Sequence, residues 1–258
     1  VGTGPLTGRV ALVTGAGRGI GRSVARSLAM RGAAVMAVAR TEHDLSSLAT
    51  EVAGIEYMTA SVASAEGCAE ITAETRRRIG PIDILVNNAG IDTGEERAIW
   101  EQDPVVWRET LAVNLDAPFH LTRDASRDMI DRGWGRIVMV SSTAGQVGGP
   151  EMSAYCSSKH GLIGLTRSVA LDVGRHGVTC NAVAPGWVRT PMSERTAAIE
   201  AERRGVSTDQ VWAERNATYP QGRVVTPDEV AEVITFLVDE GSGAVNGEVI
   251  TVALGGLW

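Results

Sequence analysis

Apolar and polar positions along the chain alternate between two rhythms. Short apolar runs recur, each ending in small or polar residues: RVALVTGAG, AAVMAVAR, IEYMTASV, IDILVNNAG, GRIVMVSS, GVTCNAVAPG and GEVITV. Runs this short, closed by glycine, asparagine or serine, predict buried strands. Between them, apolar residues recur three and four apart, which predicts amphipathic helices. IGRSVARSLAMRG is one, stopped by Gly32; TEHDLSSLATEV is a second, with Thr41 as its cap; SAEGCAEITAETRRRIG is a third. Further helical segments are expected over residues 104–131, 153–174 and 190–215. TPDEVAEVITFLVDE completes the set, with Thr226 before it and Pro227 in its first turn.

Strand and helix alternate from one end to the other, with no repeat, low-complexity tract or linker. That alternation predicts an α/β fold. One domain over residues 1–258 would hold a doubly wound, mostly parallel sheet with helices on both faces. Ligands of such sheets sit beyond the carboxyl ends of the strands, where strand order switches. The predicted strands end there in TGAGRGIG, NNAG, SSTAG and APGW. Small, polar, turn-forming residues at one edge read as one site assembled from four loops.

Composition narrows the partners. Of the 258 residues 44% are hydrophobic, ample for a cored domain, and the net charge is −7. An acidic surface argues against nucleic acid and against an anionic membrane. No apolar run reaches the length of a membrane span, and VGTGPLTGR lacks the apolar core of a signal peptide. Cys68, Cys156 and Cys180 are odd in number and scattered, as expected of reduced thiols in a cytoplasmic protein. The four histidines lack paired metal spacing, so no metal is expected.

Candidate chemistry lies at the strand ends. In TGAGRGIG, Gly15, Gly19 and Gly21 let the backbone turn tightly against a pyrophosphate, and the following helix offers its N–H groups. The spacing departs from GxGxxG, so an ordinary glycine-rich turn is the alternative. An acidic residue closing the second strand would bind the adenosine ribose of NAD. Arg40 stands there instead, and Arg18 lies in the glycine loop. Two guanidiniums suit the 2′-phosphate of NADP. A solvated Arg40 paired with Glu42 is the other reading. Further along, Ser142 closes the fifth strand, and Tyr155 and Lys159 share one face of a helix. A phenol ionises near pH 10, too high for neutral acid–base work, and a close ammonium lowers that value. A serine hydroxyl beside the tyrosine can hold a carbonyl oxygen. A tyrosine–lysine pair alone is common on solvent-facing helices; the combination is what is specific.

With these pieces in order, the chain resembles the short-chain dehydrogenases/reductases, in their single-domain subfamily of about this length. The likeness runs from RVALVTGAGRGIG through DILVNNAG, VNL, GRIVMVSS, YCSSKHG and CNAVAPGWVRTPM to VALGG. It implies a Rossmann-type fold and an oxidoreductase moving hydride between a nicotinamide cofactor and a ketone or secondary alcohol. Tyr155 would be the general acid of reduction and base of oxidation. Lys159 would tune it and bind the nicotinamide ribose, Ser142 would orient the carbonyl, and Asn114 in LAVNL would support a water relay to the lysine. Along with the glycine loop and Ile20, the cofactor would meet Asn88, Ala89 and Gly90, then Pro185, Gly186, Val188 and Thr190. Two departures stand out. Ser61 replaces the frequent aspartate after strand three, with Val62 left to pack on the adenine, and VALGG lacks the usual aspartate.

Residues 188–225 read as a substrate lid, with Trp187, Met192 and Trp212 as candidate pocket walls and lid packing as the alternative for each. GIDTGEERAIWEQDP would form another wall. The lid and the helix after it are similar to those of polyketide and 3-oxoacyl ketoreductases and hydroxybutyrate-type dehydrogenases. A hydrophobic, cyclic or β-keto substrate is therefore expected. NADP(H) is favoured; an NAD-dependent secondary-alcohol dehydrogenase and a catalytically silent dinucleotide sensor are the alternatives. The resemblance implies a homotetramer or homodimer built on residues 104–131 and 153–174 and on the last helix and strand. The apolar terminal Leu257 and Trp258 point the same way.

Overall fold

The short apolar runs form one sheet in the computed structural model, which describes residues 4–94 and 97–256. Its strands are β1 (Val10–Thr14), β2 (Ala34–Ala39), β3 (Ile55–Thr59), β4 (Ile84–Asn87), β5 (Gly135–Val140), β6 (Val178–Pro185) and β7 (Val249–Val252). They lie in the order β3-β2-β1-β4-β5-β6-β7, every pair parallel. Val13 pairs with Ala37 on one side and Val86 on the other, which fixes the register at the middle of the sheet.

Parallel strands need crossovers, and the helices that make them cover both faces. Side chains alternate between those faces. Val13, Val35 and Ala37 point to one, against α1 (Gly19–Met30), α2 (Glu42–Glu51) and α9 (Pro227–Val238). Leu12, Met36 and Val38 point to the other, against α3 (Ala65–Arg78), α5 (Ala117–Arg132) and α6 (Ser153–Val173). All three cysteines are buried thiols; Cys68 and Cys180 pack in that second layer. The chain runs outward from β1 to β3, then returns to lay β4 beside β1. Strand order therefore switches at the β1–β4 crevice, where the loops of interest open.

Three details depart from the sequence reading. The long helical segment is broken: α4 (Pro104–Leu111) and α5 flank a π turn at Ala112–Asp116 that holds Asn114. An inserted residue widens the helix there and is tied down by long-range bonds of the Asn114 side chain, a feature of tertiary structure that periodicity does not carry. The polar lid forms two helices, α7 (Pro191–Arg204) and α8 (Thr208–Ala217), each opened by a capping box, Thr190 with Ser193 and Ser207 with Gln210. Thr41 occupies the cap position of α2, but its side chain makes no capping bond. By contrast Thr226 caps α9 as expected, with Pro227 in the first turn. Among the described residues, no helix is long and apolar enough to cross a membrane, and no group of side chains could hold a metal ion. Leu257 and Trp258 lie outside the described residues.

Candidate active site

A cavity of about 310 Å³ opens at the carboxyl edge of the sheet. The loops after β1, β2, β3, β4, β5 and β6 all reach it, so the four predicted loop motifs do meet.

Its first end is built from backbone. Gly15 adopts a left-handed φ of 66°, and a Cβ on Gly21 would drive into the Gly15 carbonyl and the Asn88 amide. That packing holds the loop in place. The Asn88 amide donates to Thr14 O at 2.9 Å and Gly15 O at 3.2 Å, while Asn88 N and Ala89 N donate to Thr14 Oγ1. Asn88 thus clasps the glycine loop to β4. Thr14, unremarkable in sequence, is the other half of that clasp. α1 starts with no side-chain cap and no acidic residue in its first turn, which leaves an anion-binding helix end facing the cavity. Arg18, Gly19, Ile20, Arg40, Ser61 and Val62 line this end. Among the described residues neither Arg18 nor Arg40 makes an ion pair, so Arg40 is not paired with Glu42. Two unpaired guanidiniums, an uncapped helix end and a close backbone turn fit a dinucleotide with an extra phosphate.

The other end holds the polar side chains. Tyr155 and Lys159 lie one turn apart on α6, with Lys159 Nζ 5.6 Å from the Tyr155 ring centre. Lys159 is buried, and its ammonium donates to Val140 O at 2.9 Å. Burial lowers its pKa to about 8, while Asp92 pulls it up. Ser141 Oγ donates to Lys159 O and anchors α6 to the end of β5. Ser142 Oγ accepts from Ala144 N at 3.1 Å and so stands at the start of a single 3₁₀ turn; like Tyr155, it lines the cavity.

Asn114 sits behind this group. Its Oδ1 accepts from Ile91 N at 2.8 Å, and its Nδ2 donates to Ile91 O at 2.9 Å and to Ser158 Oγ at 3.1 Å. Ser158 Oγ in turn donates to Tyr155 O. The π turn therefore joins the β4 loop to the Tyr155 helix. Gly90 lies between them; a Cβ there would be 3.5 Å from Lys159 Nζ and 3.4 Å from Asn114 Oδ1.

The lid closes the remaining side. Pro185, Gly186, Val188 and Thr190 line the cavity, as do Trp187 and Met192. The Thr190 methyl faces Gly19, so the start of the lid meets the glycine loop. Trp212 does not reach the cavity. It is 3% exposed, packs with Ala197, Ala201 and Val211, and donates its indole N–H to Glu194 at 2.8 Å. The cavity-facing ring is Trp187, backed by the Arg215 guanidinium 3.7 Å from its centre. Arg215 is itself buried, donating to Ser193 O and Glu200. Ile91 and Asp92, in the expected GIDTGEERAIWEQDP wall, and Thr196, in the expected lid, also line the cavity, as does Met152, which sequence reasoning missed. Residues 95 and 96 of the other expected wall lie outside the described residues.

Comparison with known proteins places this arrangement. A model of the short chain dehydrogenase family matches residues 9–201. The chain is 38% identical over 254 residues to a putative ketoacyl reductase of Streptomyces coelicolor, covering 96% of each. It is 36% identical over 249 residues to a D-beta-hydroxybutyrate dehydrogenase of Cupriavidus necator, covering 95% of this chain and 96% of the other. A crystal structure of an actinorhodin polyketide ketoreductase variant with NADPH superposes with a TM-score of 0.92 at 36% identity, covering 98% of each chain.

Proposed function

Because this chain belongs to the short chain dehydrogenase family, we propose that it reduces a hydrophobic, cyclic or β-keto ketone to a secondary alcohol with NADPH. The observation that carries the reading is the buried Lys159, one turn from Tyr155 at the wall of the cavity that the glycine loop also lines. When bound, NADPH supplies the hydride.

The chain's own residues do the rest. Gly15, Gly19, Gly21 and the α1 end hold the pyrophosphate, and Arg18 and Arg40 hold the 2′-phosphate. Ser61 and Val62 border the adenine, and Asn88, Ala89 and Gly90 line the path toward the nicotinamide. Pro185, Gly186, Val188 and Thr190, which line the cavity, would hold that ring. Ser142 donates to the carbonyl oxygen and Tyr155 delivers the proton to it. The Lys159 ammonium stabilises the phenolate left behind and binds the nicotinamide ribose. Asn114 fixes the loop and helix that carry this group. Residues 188–225 act as the lid, with Trp187 and Met192 against the substrate.

We assign the protein to the cytoplasm, where three buried thiols stay reduced. Assembly as a homotetramer would cover Val105, Phe119 and Leu171 on α4, α5 and α6, and Phe236 on α9, each close to half exposed or more. Light scattering on the purified protein reads the subunit number directly.

The test is cofactor consumption with NADPH and NADH side by side, on a β-keto ester, a cyclic diketone, a bicyclic ketone and a sugar-like ketone. Turnover with NADPH is expected. Turnover only with NADH would overturn the roles of Arg18 and Arg40 and keep the enzyme.

A further inference from the structure

The substrate end of the cavity holds a carboxylate that the reaction above does not use. Asp92 follows the β4 loop and lines the cavity with Tyr155, Trp187, Met192 and Thr196. Its position is held on three sides. Asn114 clasps both backbone groups of Ile91, the residue before it. Arg195 of α7 donates to the Asp92 carbonyl. Gly94 N donates to Asp92 Oδ1 at 3.1 Å. Among the described residues, the carboxylate has no further hydrogen-bond partner and no ion pair.

The cations nearby are otherwise engaged. Arg195 is exposed and spent on a backbone carbonyl, Arg215 is turned toward Glu200 and Ser193, and Lys159 is bonded to Val140 O. Asp44, the other acidic residue of the cavity wall, lies at the far end beside Gly17. A substrate under the lid therefore meets a fixed acceptor with an unfilled lone pair. Such a group gains from a hydroxyl hydrogen and repels a second carboxylate. Asp92 is half-buried; burial raises its pKa, with the Gly94 N–H and the three cations opposing.

We infer that Asp92 selects the substrate, accepting a hydroxyl hydrogen of an uncharged hydroxy-ketone and turning away ketones that carry a carboxylate. The inference rests on the reductase reading and sharpens it. Free β-keto acids, the counterparts of hydroxybutyrate, fall outside the substrate range.

The experiment measures kcat/KM with NADPH for acetoacetate and methyl acetoacetate, and for 2-tetralone and 6-hydroxy-2-tetralone, in wild type and Asp92→Asn. The amide keeps an acceptor for Gly94 N–H. Ratios between paired substrates cancel any effect of the variant on Lys159, which both members share. Wild type is expected to favour the ester over the acid by about 30-fold and Asp92→Asn to shrink that ratio about tenfold. The preference for the hydroxylated tetralone is expected to weaken in parallel. An aspartate that only braced its own turn would leave both ratios unmoved, and that result overturns the inference. NADPH affinity, read by fluorescence titration, separates the two levels. Tight NADPH binding with no turnover of any probe by wild type overturns the reductase reading, and the inference with it. If Asp92→Asn does not fold, Asp92→Ser, which also keeps a short acceptor, repeats the measurement.

Discussion

The two ends of the cavity are built by different means. At the cofactor end, backbone does the work: a tight glycine loop, an uncapped helix end and a strand terminus, tied together by Thr14 and Asn88. At the substrate end and in the lid behind it, side chains from distant segments make the ties: Arg215 on Trp187, Trp212 on Glu194, Arg195 on the Asp92 backbone carbonyl. Backbone sites tolerate few changes, because another residue cannot reproduce the close approach. Side-chain assemblies can be rebuilt one residue at a time. Relatives whose names point to different substrates match this chain over nearly its whole length.

That difference can be broken at chosen points. Among changes that leave the proton donor in place, Lys159→Met should have the largest effect, lowering turnover by about 10³-fold, because Tyr155 loses its charged partner. Steady-state kinetics checks this, and a loss under tenfold would free Tyr155 from the lysine. Arg40→Ser should raise KM for NADPH by about 30-fold and leave KM for NADH within a factor of about two, since one charge-assisted bond to phosphate is lost. Equal effects on both cofactors would remove the phosphate from Arg40.

Acidity gives the next effect. Lys159 is charged below its pKa of about 8 and neutral above it. Reduction should therefore fall as pH rises through about 8, by about tenfold per unit beyond it. Asp92 pulls that pKa up, so Asp92→Asn should move the falling limb to lower pH. A limb that stays in place would uncouple the two residues. The smallest effect belongs to the lid. Arg215→Met removes the charge behind Trp187 and should cost about 1–2 kcal/mol of stability, with KM for the ketone up severalfold and NADPH affinity unchanged. Thermal unfolding and titration read both halves of that statement.

The same contrast explains what the chain's pattern revealed. Strands, helices and the glycine loop are local features: apolar runs bounded by breakers, and glycines where only glycine fits. Tyr155 and Lys159 were legible because one helical turn joins them. For Trp212 the lid-packing alternative holds, and sequence leaves it open because its burial depends on α7 and α8 packing on each other, which no local pattern shows. The π turn at Asn114 escaped for the same reason, since its side chain answers to Ile91, 23 residues away. Asp92 falls in sequence within the stretch expected to form a pocket wall, with no role of its own. Only the lid above it and the clasped backbone before it make it part of the cavity.

The central claim is that Tyr155, tuned by Lys159, is the proton donor of a ketone reduction. Its most direct test is Tyr155→Phe, with turnover of methyl acetoacetate and NADPH affinity measured on the same preparation. The account predicts turnover reduced by about 10³-fold or more with NADPH affinity within a factor of about two of wild type. Turnover near the wild-type rate would contradict it.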